Sequence, residues 1–109
     1  MTGPKAYVAQ RLSALVLAPL VLVHLGLILY AVQGGLSAEE ILARTRGSLF
    51  WMVFYALFVL AAALHASIGL RNVVSELTAW RGATLSLAMS LVGLGLAALG
   101  LRAVAAVTL

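Results

Sequence analysis

The chain has 109 residues, of which 64% are hydrophobic and 9% are charged, with a net charge of +4 and no cysteine. Soluble domains average about 45–50% apolar and about 25% charged residues, so this composition excludes a soluble globular protein. Without cysteine, this chain alone builds no disulfide, iron–sulfur cluster or thiolate metal site. In so apolar a chain, the excess of lysine and arginine indicates membrane orientation rather than nucleic-acid binding.

Three segments are long and apolar enough to cross a lipid membrane, at about 12–32, 49–70 and 83–107. A membrane core of about 30 Å requires about 20 helical residues, and in lipid the backbone must satisfy its own hydrogen bonds. The sequence therefore predicts an all-α integral membrane protein, a single domain over 1–109 built as a three-helix bundle. No carboxylate lies within a predicted span, which disfavours a proton-coupled transporter.

The joint between the first two spans contains a helix-start signal. Ser37 and Glu40 have the spacing of a capping box, in which the serine side chain and the glutamate side chain each bond the other's backbone. This predicts a short helix over about 38–45 that lies along the membrane interface. In the third span, small residues recur every three or four positions and predict close helix packing. They are Ser86, Ser90, Gly93, Ala97 and Gly100.

Basic residues predict the orientation of the bundle. The N-terminus and the second joint, expected at about 71–82, share one side of the membrane and carry four basic residues. These are Lys5, Arg11, Arg71 and Arg81, against Arg44, Arg46 and Arg102 on the other side. Because cytoplasmic loops carry the excess of lysine and arginine, we expect the N-terminus to lie in the cytoplasm.

His65 is the titratable residue of the second span, six residues before Arg71 and so about 9 Å from it along a helix. Ionisable groups inside a membrane are costly, and neutral imidazole is a good iron ligand through one ring nitrogen. Alanines and Gly69 surround it and would admit a flat macrocycle. Arg11 and Arg71 are candidates to pair with haem propionates, although positive-inside anchoring explains them equally well. The alternative for His65 is a hydrogen bond to a carbonyl of a neighbouring helix.

His24 and Glu76 are weaker candidates. His24 lies 13 residues past Arg11, about 20 Å deep, and is not expected to share an iron with His65. It would serve a second haem or pair with a ligand from another subunit, or be a buried, hydrogen-bonded histidine. Glu76 is expected at the membrane surface, either as a solvated charge or as a proton donor beside a quinone.

Two stretches resemble a known family. The pattern His65-x-x-x-Gly69-x-Arg71-x-x-x-x-Glu76 resembles the His-x-x-x-Gly-x-Arg-x-x-x-x-Asp signature of succinate dehydrogenase cytochrome b anchor subunits. The opening QRLSALVL is similar to the Arg-x-Ser/Thr start of their first helix. Three spans, a short interfacial helix and the chain length also resemble these subunits, in particular the hydrophobic membrane anchor of a bacterial complex II.

The resemblance implies roles for individual residues. His65 matches the axial ligand of haem b, with the opposite ligand supplied by a second cytochrome b anchor subunit. Arg11 matches an arginine near the haem propionates and the quinone pocket, and Ser13 matches the hydroxyl that follows it. Glu76 stands where the family has an aspartate close to the quinone.

One position departs from the family pattern. The hydrophobic anchor commonly has a quinone-contacting tyrosine after that aspartate, and here the residue is Leu77. Tyr7, expected near the same membrane face, is a candidate substitute.

The resemblance also implies a function. The chain would anchor a flavoprotein subunit and an iron–sulfur subunit of a succinate:quinone oxidoreductase to a bacterial inner (cytoplasmic) membrane. It would help to bind haem b and a quinone, either ubiquinone or menaquinone, without catalysing a reaction alone. The alternatives are the anchor of a quinol:fumarate reductase and a haem-free three-helix scaffold or assembly protein.

Overall fold

A computed structural model describes residues 3–109 as four helices. They are α1 (Gly3–Gly34), α2 (Ala38–Thr45), α3 (Leu49–Leu77) and α4 (Ala83–Thr108). Three of them, α1, α3 and α4, are long and apolar enough to cross a membrane, and residues 3–109 contain no strand. The predicted all-α fold with three spans and a short helix after the first is confirmed.

The capping box predicted before α2 is confirmed. The Ser37 hydroxyl accepts a hydrogen bond from the Glu40 N–H at 3.2 Å, and the Ser37 N–H donates to the Glu40 carboxylate at 3.1 Å. The carboxylate folds back so closely over Gly35 that a side chain there would overlap it, and Gly35 also has a φ of 128°. Glycine at this position therefore lets the chain turn from α1 into α2.

The second joint is shorter than predicted. Because α3 continues to Leu77, the connection to α4 comprises only residues 78–82, and the prediction of a joint beginning at 71 is wrong. Arg71 and Glu76 are helical, since no glycine or proline interrupts the segment after Gly69. The predicted end of the second span coincides with the first charged residue after it, Arg71. A charged residue marks where a helix leaves the lipid and not where the helix ends. In the same way α1 begins at Gly3, well before the predicted start of its span.

The middle helix of the bundle is α3, which packs against both α1 and α4. Its contact with α4 uses the predicted small residues. A Cβ added to Gly93 would lie 2.9 Å from the Ser67 Cβ, and one added to Gly100 would overlap the Val59 side chain. The Ser67 hydroxyl also donates to the Met89 carbonyl at 2.9 Å. The small residues therefore allow the close approach of the two helices, as predicted.

Two hydrogen bonds join the C-terminal end of α2 and the turn after it to the C-terminal end of α4. The Thr45 hydroxyl donates to the Val107 carbonyl at 2.6 Å, and the Gly47 N–H donates to the Thr108 carbonyl at 2.8 Å. The bundle therefore has two distinct ends. The N-terminal end holds the start of α1 and the 78–82 joint, and the α2 end holds α2 and the C-terminus.

Little of the apolar surface is buried within the chain. In the most apolar windows of α1 and α3 only 6% of the residues are buried, and in α4 only 11%. The buried hydrophobic residues are few and include Ala6, Ala31, Ala61 and Ala63. So large an exposed apolar surface is stable only against lipid or against the helices of other subunits.

Candidate functional site

A polar contact joins α1 to α3 in the half of the bundle nearer its N-terminal end. The Ser13 hydroxyl oxygen lies 3.2 Å from Nδ1 of His65, and the hydroxyl donates to the carbonyl of Gln10 at 3.0 Å. Ser13 is only 5% exposed, although most of α1 faces outwards. The serine of the QRLS stretch and the histidine of the second span, distant in sequence, are therefore neighbours in space.

Gln10 completes this region and was not predicted. Its side-chain nitrogen lies beside Gly69, where an added Cβ would be 3.2 Å away. Its Oε1 atom is buried and has no hydrogen-bond partner within residues 3–109. We call Gln10, Ser13, His65 and Gly69 the polar cluster. The sequence feature that could have identified Gln10 is its position three residues before Ser13, which places two uncharged polar residues on the same helix face.

Arg71 forms a hydrogen bond to α4 and has none to the polar cluster. Its Nε donates to the Ser86 hydroxyl at 2.8 Å. It follows His65 by six residues, so the two side chains are about 120° apart around α3. Arg71 lines a cavity of about 350 Å³ between α3 and α4, and a smaller one of about 170 Å³ beside Tyr7 and Gln10. Ser86, predicted as a packing residue, is thus also a hydrogen-bond acceptor.

Arg11 and Tyr7 lie on the outer surface of α1. The guanidinium carbon of Arg11 lies 5.6 Å from the centre of the Tyr7 ring, a cation–π distance. Arg11 precedes Ser13 by two residues, which is about 200° around the helix, so the arginine faces away from His65. Both Arg11 and Tyr7 are exposed and available to another subunit or to a ligand.

Glu76 is exposed near the end of α3, 11 residues after His65 and so about 16 Å further along the helix. Of the predicted quinone residues Arg11, Ser13, Tyr7 and Glu76, the structure brings Arg11 and Tyr7 together. Ser13 points inwards to His65, and Glu76 lies apart from it. A single pocket containing Arg11, Ser13 and Glu76 is not formed by residues 3–109 alone.

His24 has quite different surroundings. It lies 11 residues after Ser13, about 16 Å along α1 towards the α2 end. Its ring meets those of Tyr55 and Phe58 edge-on, with centroid distances of 6.0 and 5.3 Å. It borders a largely apolar cavity of about 360 Å³, and its ring has no hydrogen-bond partner among the described residues. The two histidines therefore lie at different depths.

The donor set can be compared with the requirements of a metal. Within residues 3–109, no three histidine or carboxylate side chains lie close enough together to hold a bare metal ion. A haem iron requires only one protein nitrogen on each face of the macrocycle. Because His65 uses Nδ1 for Ser13, its Nε2 is left for such a bond. The residues present fit a haem ligated from one side by this chain.

Sequence comparison covers nearly the whole molecule. Residues 2–101 match the succinate dehydrogenase/fumarate reductase transmembrane subunit family, and this range includes both the QRLS stretch and the segment from His65 to Glu76. No curated protein and no solved structure gives a significant match. The family match and the three apolar helices agree on a multi-pass membrane subunit that works in a larger complex. The chain thus belongs to the succinate dehydrogenase/fumarate reductase transmembrane subunit family.

Proposed function

We propose that this chain is a membrane anchor subunit of a succinate:quinone oxidoreductase in a bacterial inner membrane. Electrons from succinate would pass through a flavoprotein subunit and an iron–sulfur subunit to a quinone at the membrane face. The observation that carries this proposal is the Ser13–His65 contact, because it joins the two stretches that resemble the family and orients the histidine. The excess of basic residues at the N-terminal end supports a cytoplasmic location for that end.

His65 is the proposed axial ligand of haem b, with the opposite ligand supplied by a second cytochrome b anchor subunit. If bound there, haem b would supply one-electron redox chemistry beside the route from the iron–sulfur subunit to the quinone. The chain's own contribution is to orient one imidazole and to exclude water from it with apolar helices. Arg11 and Arg71 are the proposed propionate partners: Arg11 is exposed, and Arg71 donates through Nε to Ser86, which leaves its other guanidinium N–H groups for a carboxylate.

The proposed quinone site lies at the N-terminal end, between this chain and the iron–sulfur subunit. Arg11, Tyr7 and Glu76 support it, since all three are exposed and offer hydrogen-bonding groups. Glu76 would supply a proton to the reduced quinone. The hydroxyl of Ser13 is engaged with Gln10 and His65, and it supports this site less than the exposed groups do.

Purification of the intact complex through an affinity tag on this chain tests the proposal. We expect a flavoprotein and an iron–sulfur subunit to copurify, together with a b-type band in the reduced-minus-oxidised spectrum and succinate-dependent reduction of quinone. A faster reduction of fumarate by quinol than of quinone by succinate would identify the reverse enzyme. A preparation without partner subunits and without b-type absorbance would support the haem-free scaffold and overturn the proposal.

A further inference from the structure

We propose that Ser13 is a positioning residue that holds His65 in the tautomer with its proton on Nδ1, so that the lone pair on Nε2 is presented to the haem iron. The inference rests on the proposed ligation of haem by His65. It gives Ser13 a role different from quinone binding, because the serine acts through the histidine and does not touch the substrate.

The single hydrogen of the Ser13 hydroxyl leads to this assignment of the His65 tautomer. A serine hydroxyl has one hydrogen, and Ser13 donates it to the Gln10 carbonyl at 3.0 Å. The second contact of the same oxygen, at 3.2 Å from Nδ1 of His65, then requires a hydrogen from the imidazole. A neutral imidazole with a proton on Nδ1 has its lone pair on Nε2, which is the atom left for a metal.

The hydroxyl is held in this orientation by its surroundings. Ser13 is almost fully buried, so bulk water does not compete for its hydrogen, and the carbonyl one turn earlier on the same helix is the nearest acceptor. Gly69 contributes by leaving room for Gln10: an added Cβ would approach the Gln10 amide nitrogen to 3.2 Å. A side chain at position 69 would displace the Gln10 side chain from this position.

Ser67 provides a matched comparison within α3. It lies two residues after His65, and its hydroxyl also donates to a carbonyl, that of Met89 on α4 at 2.9 Å. Removal of the Ser67 hydroxyl therefore removes a part-buried serine–carbonyl hydrogen bond between helices without touching the imidazole. A purely structural role for Ser13 predicts similar effects of the two substitutions, whereas a positioning role does not.

The test uses the purified complex with wild-type, Ser13→Ala, Ser13→Cys, Ser13→Thr and Ser67→Ala chains. Haem affinity is measured by titrating haem into haem-depleted complex, and the haem midpoint potential by redox titration. We expect Ser13→Ala to weaken haem binding about 10- to 100-fold, the usual effect of losing the partner of a ligating histidine. The midpoint potential should rise, because an imidazole without this hydrogen bond is a less basic ligand and stabilises ferric iron less.

Ser13→Thr keeps the hydroxyl and should keep both values near wild type, as should Ser67→Ala. Ser13→Cys nearly keeps the side-chain volume but offers a poor acceptor, so it should shift both values in the direction of Ser13→Ala even if alanine disturbs folding. Wild-type affinity and potential in both Ser13→Ala and Ser13→Cys would overturn this inference alone. A wild-type complex that contains no haem would overturn the proposed function and this inference together.

Discussion

The two histidines lie on neighbouring helices in opposite chemical surroundings. His65 contacts a buried hydroxyl that is itself hydrogen-bonded to the backbone. His24, towards the α2 end, makes T-shaped ring contacts with Tyr55 and Phe58. His65 has a partner for one specific ring nitrogen, Nδ1. The aromatic neighbours of His24 pack against its ring without contacting one nitrogen in particular.

We expect this difference in contacts to separate a ligand from a packing residue. A hydrogen bond to Nδ1 fixes both the tautomer and the direction of Nε2, so less ordering remains when a metal binds. Edge-on aromatic contacts stabilise the ring plane but leave the proton free to occupy either nitrogen. The comparison therefore supports the proposal that His65 ligates haem and that His24 is a packing residue, and the predictions below test this proposal for both histidines.

The largest expected effect is that of His65→Ala. We expect loss of the b-type band of the complex, because no other side chain of the polar cluster is a good iron ligand. The reduced-minus-oxidised spectrum measures it, with Leu64→Ala, an exposed neighbour on the same helix, as the control. An undiminished band in His65→Ala would remove the basis for treating the two histidines differently.

Substitution of Gly93 and of Gly100 by alanine compares the α3–α4 contact in the two halves of the bundle. We expect Gly93→Ala to destabilise the complex by about 1–3 kcal/mol, since the new methyl group would lie only 2.9 Å from the Ser67 Cβ and one of the two residues must shift. Gly100→Ala should have a similar cost against Val59, but only Gly93→Ala should release haem at a lower temperature. Thermal unfolding followed by circular dichroism measures the stability of both variants, and the haem band measures the temperature at which haem is released.

Gly95→Ala is the control for these two substitutions, because an added Cβ there meets nothing within 4 Å in the chain. It should leave the unfolding midpoint near wild type or raise it, as alanine favours a helix over glycine. Equal destabilisation by all three substitutions would show that partner helices, and not the α3–α4 contact, limit the space at this surface.

His24→Leu should cost stability without changing the haem. Loss of its ring contacts with Tyr55 and Phe58 is expected to destabilise the complex by about 0.5–1.5 kcal/mol. Haem content, measured from the reduced-minus-oxidised spectrum, and midpoint potential, measured by redox titration, should stay at wild-type values. Loss of half the haem would instead assign His24 to a second haem and contradict its role in packing.

Ser37→Ala should have the smallest and most local effect. It removes the hydrogen bond to the Glu40 N–H and should destabilise α2 by about 1 kcal/mol. Faster hydrogen exchange of the first α2 amides would report the change, with Ser75→Ala at the opposite end of the bundle as the control. Because α2 borders the His24 cavity and not the polar cluster, a change in the haem spectrum would contradict the separation of the two ends.

Much of the fold could be predicted from the sequence, because lipid imposes helices on long apolar segments and a capping box marks the start of α2. The face of α1 that meets α3 could not, since this helix is apolar on all sides and hydrophobic periodicity does not distinguish its faces. For this reason the contact of Ser13 with His65 and the burial of the Gln10 Oε1 atom could not be predicted. The direction of Arg71 was unpredictable for a related reason: a long basic side chain can turn to any nearby acceptor, and here Ser86 provides one.

Chemical rescue of His65→Gly tests the central claim most directly, because it asks whether the imidazole itself is the ligand. The purified His65→Gly complex should lack the low-spin b-type spectrum, and added imidazole together with haem should restore it. The His24→Gly complex should show the wild-type spectrum without imidazole and no change when it is added. Retention of low-spin haem by His65→Gly before imidazole is added would contradict the claim that His65 binds the iron.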